Sequence, residues 1–276
     1  MGAVDELIRE GRRRVRGRWI AFAEWGDPDG APVLAWPGGL GSRFGWGWAR
    51  AEAASSGVRL VIPDRPGYGR SDACTDRSVA STATDVHEML GRLGIRRYRV
   101  LGNSSGAPYA LAMAARHAAA VERVGVVAGV APFAGPGWPT GMSPENRKFW
   151  TTARRGPAAL TPHLTSVVAN AVEDDDLHPE RRADITEAAR QGPQELAYDA
   201  WLVATPWDVD LRSVEAHVDV WHGAEDDDVP LPLAEQLARV LPRSTLHIWP
   251  NRGHEMNGAD MADVYTLLLG ATVPPI

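Results

Sequence analysis

Short apolar runs alternate with helical stretches along the first half of this chain, and that rhythm leaves few folds open. Residues 19–23, 32–36, 59–62, 98–101 and 124–128 read as strands. Helical stretches fall between them at 48–56, 78–93 and 107–117. Within 78–93, Val79, Val86, Met89, Leu90 and Leu93 share roughly one face of a helix. Strand, helix and strand in succession close by right-handed crossovers, so the expected sheet is mainly parallel and flanked by helices.

The rhythm stops near Ala131. From there to Trp207 no convincing strand occurs, only Pro- and Gly-rich connections and helical pieces at 144–154 and 181–190. Alternation returns with a strand at 218–221, a helix at 233–241, a strand at 245–248 and a helix around 261–269. The expected organisation is one α/β core, residues 1–131 and 208–276, with a helical insertion at 132–207 lying over the sheet. No internal repeat or long linker divides the chain further.

Composition removes several classes of function. With 276 residues, 44% of them hydrophobic and 23% charged, the chain can bury a core without staples. A net charge of −6 gives no support for nucleic acid as a partner. One cysteine, Cys74, cannot make an intrachain disulfide, a thiolate zinc cage or an iron–sulfur site. Residues 1–18 are charged and lack the apolar run of a secretory signal. Residues 124–144 carry no Asp, Glu or Lys, but four prolines break them, so they do not read as a membrane helix. The expectation is a soluble, cytoplasmic protein whose partner is a small-molecule substrate, with no membrane partner and a homodimer left open. The acidic run Glu173-Asp174-Asp175-Asp176 lacks the alternating ligands and glycine of a calcium loop and reads as a solvated surface, so no metal is expected.

Two loops carry chemistry. Gly102-Asn103-Ser104-Ser105-Gly106 matches G-x-S-x-G and stands where that pattern must stand, between a strand and a helix. A tight turn there lifts the Ser104 hydroxyl clear of the sheet, and the following helix start supplies oriented N–H groups, that of Ser105 first. Gly38-Gly39-Leu40-Gly41-Ser42, after the 32–36 strand, can bring a second N–H, that of Gly39, to the same oxygen. Two such donors form an oxyanion hole, each worth about 2.7–4 kcal/mol of barrier by mutational precedent.

These two loops, the turn-rich 64–71 loop, His222-Gly223-Ala224-Glu225-Asp226 and Arg252-Gly253-His254 follow one another in the order of the α/β-hydrolase superfamily, and the chain resembles a serine-nucleophile member with a cap. The resemblance covers the chain outside the insertion. It implies an α/β fold with a mainly parallel eight-stranded sheet flanked by helices and an inserted helical cap. It also implies a nucleophile after the fifth strand, an acid after the seventh and a histidine after the eighth: Ser104, Asp226 and His254. The residues themselves lead to the same places, since Asp226 and His254 each follow a strand, at the sheet edge where open parallel sheets bind ligands. Asp227 and Asp228 compete with Asp226, which the spacing from His222-Gly223 favours. One departure stands out. Members often carry a histidine just before the first glycine of the oxyanion loop, and here that position is Pro37, which puts the loop's conformation in question.

The chemistry this implies is acyl transfer to water with no metal or organic cofactor. His254 takes the Ser104 proton, Ser105 and Gly39 hold the oxyanion, and Asp226 fixes the imidazole. The expected substrate is a carboxylic ester or thioester of a bulky apolar small molecule. The alternatives are a cofactor-free cyclase, lyase or acyltransferase on the same triad, or a ligand receptor of low turnover. Leu40 and Trp46 near the oxyanion loop, with Trp138, Trp150 and Trp207 in the insertion, are the expected substrate contacts. The other seven histidines read as structural, with His163 and His178 the two placed where substrate contact is conceivable.

Overall fold

The computed structural model describes residues 7–133 and 137–270; the outer ends of the expected core segments and positions 134–136 of the insertion lie outside them. Eight strands form one sheet: β1 (Arg9–Val15), β2 (Arg18–Gly26), β3 (Ala31–Trp36), β4 (Val58–Pro63), β5 (Tyr98–Asn103), β6 (Val121–Val127), β7 (His217–Gly223) and β8 (Ser244–Trp249). Their spatial order is β1-β2-β4-β3-β5-β6-β7-β8. The pairs β1–β2 and β2–β4 are antiparallel, and every other neighbouring pair is parallel. The C-terminal ends of β3 to β8 therefore share one edge.

The central strands β3 to β7 are nearly continuous runs of buried residues, as both faces of a parallel sheet are covered. On one face α1 (Arg50–Ser55) and α9 (Gly258–Leu268) bury Ala53, Met261, Val264 and Tyr265 against Val33, Leu60, Ile62 and Trp221. On the other face lie α2 (Val79–Arg92), α3 (Ala107–Arg116) and α8 (Leu231–Val240). A Ser78 capping box opens α2, which ends near the Leu93 expected from its apolar spacing.

The residues alone outline seven of these strands. The eighth, β1, reads Arg-Glu-Gly-Arg-Arg-Arg-Val, and its apolar alternation is invisible because arginine stems supply it. Arg12 lies over the Trp19 ring and Arg13 over Phe22, at 5.2 and 5.4 Å from the centroids. Charged side chains along a sheet edge also discourage pairing with other chains.

Among the described residues four α-helices run between β6 and β7: α4 (Pro144–Arg154), α5 (Pro157–Glu173), α6 (Pro179–Ala188) and α7 (Pro193–Ala204). Sequence reading anticipates α4 and most of α6 but not α5 or α7. Prolines mask these starts, and α5 carries a second one, Pro162, inside the helix. Each helix opens with a proline in its first turn, where the ring pre-sets φ and no N–H is missed, so residues that resemble breakers are starts. Contacts from these helices reach the loops at the C-terminal edge of the sheet. Asp184 bonds Ser42, Gln191 bonds the Ser71 carbonyl, Tyr198 bonds the Thr75 carbonyl, and Ser143 N–H bonds the Asp227 carbonyl. Among the described residues no helix is long and apolar enough to cross a membrane.

Candidate active site

Ser104 sits between β5 and α3 with φ at +50°, a left-handed conformation that a non-glycine residue adopts only under constraint. The constraint is close packing of the turn against the first loop. A Cβ on Gly106 would stand 2.3 Å from the Trp36 carbonyl and 2.8 Å from that of Pro37, so only glycine lets the turn approach β3. The Ser104 carbonyl accepts from Val130 N–H at 3.1 Å, and Asn103 Nδ2 donates to the Val127 carbonyl at 3.1 Å. The hydroxyl is thus presented at the strand edge by a backbone tied on both sides.

His254 lies in the loop after β8 and Asp226 in the loop after β7. Gly223 lets the two loops touch, since a Cβ there would meet the Arg252 carbonyl at 2.2 Å and the Gly253 carbonyl at 2.4 Å. Glu225 N–H then donates to the Arg252 carbonyl at 2.9 Å. In this frame His254 Nε2 is 3.1 Å from Ser104 Oγ, and His254 Nδ1 is 2.9 Å from Asp226 Oδ2. The N–H groups of Asp228 and Val229 donate to Asp226 Oδ1 at 3.0 and 2.8 Å. Asp227 is exposed, and the Asp228 carboxylate takes Asn146 Nδ2. The ambiguity among the three aspartates is resolved by that geometry.

Burial would raise the Asp226 carboxyl, but hydrogen bonds from His222 and His254 outweigh it and hold the group down at about 2. Burial would lower the His254 imidazole, and the hydrogen bond and charge of Asp226 instead raise it above its ordinary value. His222 is fully buried; its Nε2 bonds the Val229 carbonyl at 2.5 Å and lies 3.3 Å from Asp226 Oδ2, beside the His254 contact. The structural hydrogen bond that sequence reading expects of His222 is the one to the Val229 carbonyl; the approach to Asp226 is additional.

Two cavities adjoin the 38–42 loop. One, of about 210 Å³, is lined by Gly39, Leu40, Tyr68 and Ser105 from the core and by Phe149, Leu164 and Leu196 from the inserted helices, with His163 at its rim. The other, of about 570 Å³, contains Ser104 and His254 and is walled by Phe44, Trp48, His178, Arg181 and Met256. Gly39 and Leu40 line both.

Four expected tryptophan contacts require correction. Trp46 is buried in the core layer beside α1 and stacks on Trp48 at 5.9 Å. Trp150 is buried against Phe133 and Phe149, and Trp138 packs edge-on against Phe133 with Nε1 bonded to Thr151. Trp207 Nε1 bonds the Val203 carbonyl one turn back. None of the four lines either cavity, because each large ring is used to pack helices. Leu40 does line them, and the aromatic walls come from Phe149, Phe44 and Trp48. No sequence signal finds Phe149, since its exposure to the cavity depends on how α4 packs against α5 and α7.

No group of three or more His, Cys, Asp or Glu side chains among the described residues is arranged to hold a metal ion. A strained serine on a strand-to-helix turn, a histidine and an aspartate on successive later strand ends, and this strand order define an α/β hydrolase. The sequence profile of the alpha/beta hydrolase family matches residues 33–266, and the chain belongs to that family. Among curated relatives, it is 30% identical over 234 residues to RutD of Caulobacter sp. (strain K31), whose name describes a carbamate hydrolase, spanning 78% of this chain and 81% of that protein. It is 28% identical over 209 residues to the 2-hydroxy-6-oxononadienedioate/2-hydroxy-6-oxononatrienedioate hydrolase 2 of Pseudomonas putida, covering 72% of each chain. A solved hydrolase structure from Pseudomonas aeruginosa PA01 superposes with a TM-score of 0.74 at 18% identity, covering 96% of this chain and 99% of the other, and shows the shared fold.

Proposed function

We infer that the protein is a serine hydrolase that cleaves a carboxylic ester or thioester of an apolar small molecule through an acyl-enzyme. The observation that carries this reading is the unbroken hydrogen-bonded path from Ser104 Oγ through His254 to Asp226, with the hydroxyl opening on a cavity. His254 Nε2 takes the hydroxyl proton as Oγ attacks the carbonyl carbon. The tetrahedral oxyanion accepts from the N–H groups of Ser105 and Gly39. His254 then gives the proton to the leaving oxygen or sulfur as the carbon–heteroatom bond breaks. Water repeats the sequence, releasing the acid and restoring the serine. Asp226 holds the imidazole tautomer and its charged form without taking the proton. Relatives named as hydrolases support the reading at the level of reaction class.

The two cavities divide the substrate. Ser104 and His254 both line the larger cavity, so the reacting carbonyl and the leaving group lie there, and the smaller cavity adjoins them across Gly39 and Leu40. The smaller cavity, walled by Phe149, Leu164 and Leu196, then takes the acyl arm and favours apolar chains of modest length. In this reading the helices between β6 and β7 act as a cap over both.

The test is turnover of p-nitrophenyl butyrate together with fluorophosphonate labelling. Wild-type protein is expected to label once, at Ser104, and Ser104→Ala to lose both labelling and turnover. Full activity of Ser104→Ala would overturn the reading. A panel of esters, thioesters and a 2-hydroxy-6-oxo-dienoate places the leaving group among oxygen, sulfur and carbon.

A further inference from the structure

Pro37 replaces the histidine that organises the oxyanion loop in many relatives, yet the loop in this protein is held by other means. Arg65, with no exposed surface, directs Nη2 to the Gly38 carbonyl at 2.6 Å. Tyr68 OH donates to the Gly39 carbonyl at 2.9 Å. Both side chains come from the loop after β4, and both converge on one carboxylate of the inserted helices. Asp199 of α7 has Oδ2 2.9 Å from Arg65 Nη1 and 3.3 Å from Tyr68 OH, while its Oδ1 accepts from Tyr109 OH on α3. Arg65, Tyr68, Tyr109 and Asp199 are all at most 2% exposed. Tyr109 in turn stacks on Trp36, at the base of the loop, at 5.1 Å.

This cluster bears on the site through peptide geometry. The described chain contains no cis peptide, and in a trans peptide the carbonyl of one residue and the N–H of the next point in opposite directions. Fixing the Gly38 carbonyl on Arg65 therefore turns Gly39 N–H away from Arg65. Gly39 lines both cavities, and a Cβ on Gly38 would lie 3.4 Å from Ser104 Cβ, so the loop passes directly over the serine. We propose that Asp199, acting through Arg65 and Tyr68, is the positioning residue that aims Gly39 N–H at the oxyanion, in the role vacated at Pro37. An element of the cap thereby completes the oxyanion hole. A second inserted carboxylate, Asp184, takes Ser42 N–H and Oγ at 2.7 Å each and holds the far end of the same loop.

A buried arginine that lost its carboxylate would be left with an uncompensated charge, so a drastic variant could simply fail to fold. Tyr68→Phe removes one hydroxyl, and Asp199→Asn keeps the volume. Tyr198→Phe is the control, because Tyr198 also ties α7 to the core, through the Thr75 carbonyl at 2.8 Å, but does not touch the loop. The inference rests on Ser104 acting as the nucleophile. Kinetics per active site, counted by end-point fluorophosphonate labelling, separate folding loss from catalytic loss. The expected result is a fall in kcat of roughly 10-fold for Tyr68→Phe and roughly 100-fold for Asp199→Asn, with KM within about threefold of wild type. Affinity for a trifluoromethyl ketone, which forms the same oxyanion, is expected to fall in parallel, and Tyr198→Phe to match wild type. If wild-type protein neither labels nor turns over, the nucleophile assignment fails and this role with it. If wild type is active but Tyr68→Phe and Asp199→Asn match it per active site, or if Tyr198→Phe falls with them, the positioning role alone is overturned.

Discussion

Ser104 Oγ and His254 Nε2 lie 3.1 Å apart although 150 residues separate them along the chain. Their strands, β5 and β8, are not neighbours: β6 and β7 stand between them. Three strand spacings amount to about 14 Å, so the loop after β8 must fold back across the sheet edge to bring the imidazole to the serine. It does so over Gly223, where the backbones of the two loops leave no room for a side chain.

The pH dependence of turnover follows from the Asp226–His254 contact. In the proposed mechanism His254 must be neutral to accept the Ser104 proton, and Asp226 raises its pKa above the ordinary 6.5. The acid limb of kcat/KM is expected to inflect above that value. In Asp226→Asn the main contribution opposing burial is gone and only the charges of Asp228 and Glu255 remain against it, so the inflection moves to lower pH, and kcat falls on the order of 10³–10⁴-fold. An unmoved inflection in a pH–rate profile would count against this coupling.

Stability carries the same contact with a defined sign. The folded carboxyl of Asp226 sits at about 2, below its usual 3.8, so its contribution is present above about pH 4 and is lost as pH falls through the folded value. Denaturant titrations between pH 5 and 2 should show a steeper decline for wild type than for Asp226→Asn.

Relief of strain should be visible at Ser104. Left-handed backbone at a non-glycine residue costs on the order of 1 kcal/mol or more. Ser104→Gly is therefore expected to raise the melting temperature slightly while abolishing turnover, whereas Ser104→Ala abolishes turnover without that gain. Equal melting temperatures for the two variants would argue that the turn is not strained.

Gly106→Ala tests the close approach that supports the turn. Its methyl group would meet the Trp36 and Pro37 carbonyls, which are backbone and cannot swing aside. A loss of about 1–3 kcal/mol in equilibrium unfolding is expected, with turnover impaired in the folded fraction.

The smaller cavity can be filled from α5. Leu164→Trp should lower kcat/KM for p-nitrophenyl hexanoate roughly 10-fold or more while sparing the acetate ester. Trp138→Phe, on a ring that packs helices, should leave KM for both esters unchanged and register only in stability. A reversal of these two outcomes would return the tryptophan to the substrate pocket.

Much of the core was legible because its signals are local. Apolar runs of strand length, the glycines around Ser104 and the chain order Ser104, Asp226, His254 are properties of short windows, and short windows decide how a strand-to-helix turn is built. β1 was not legible, because its apolar contacts are the stems of arginines over Trp19 and Phe22. Nor was α5, which carries Pro162 inside the helix as well as a proline at its start, or α7.

The sequence by itself determined that a parallel sheet would present a serine, an aspartate and a histidine at its strand ends, since periodicity and turn chemistry depend on neighbours along the chain. Only the tertiary structure decided which of three adjacent aspartates meets His254, that four tryptophans serve packing, and that Asp199 ties the oxyanion loop to the inserted helices. Those outcomes depend on distances between segments far apart in the chain. Such distances are set when helices and sheet pack to exclude water, and no local pattern encodes them.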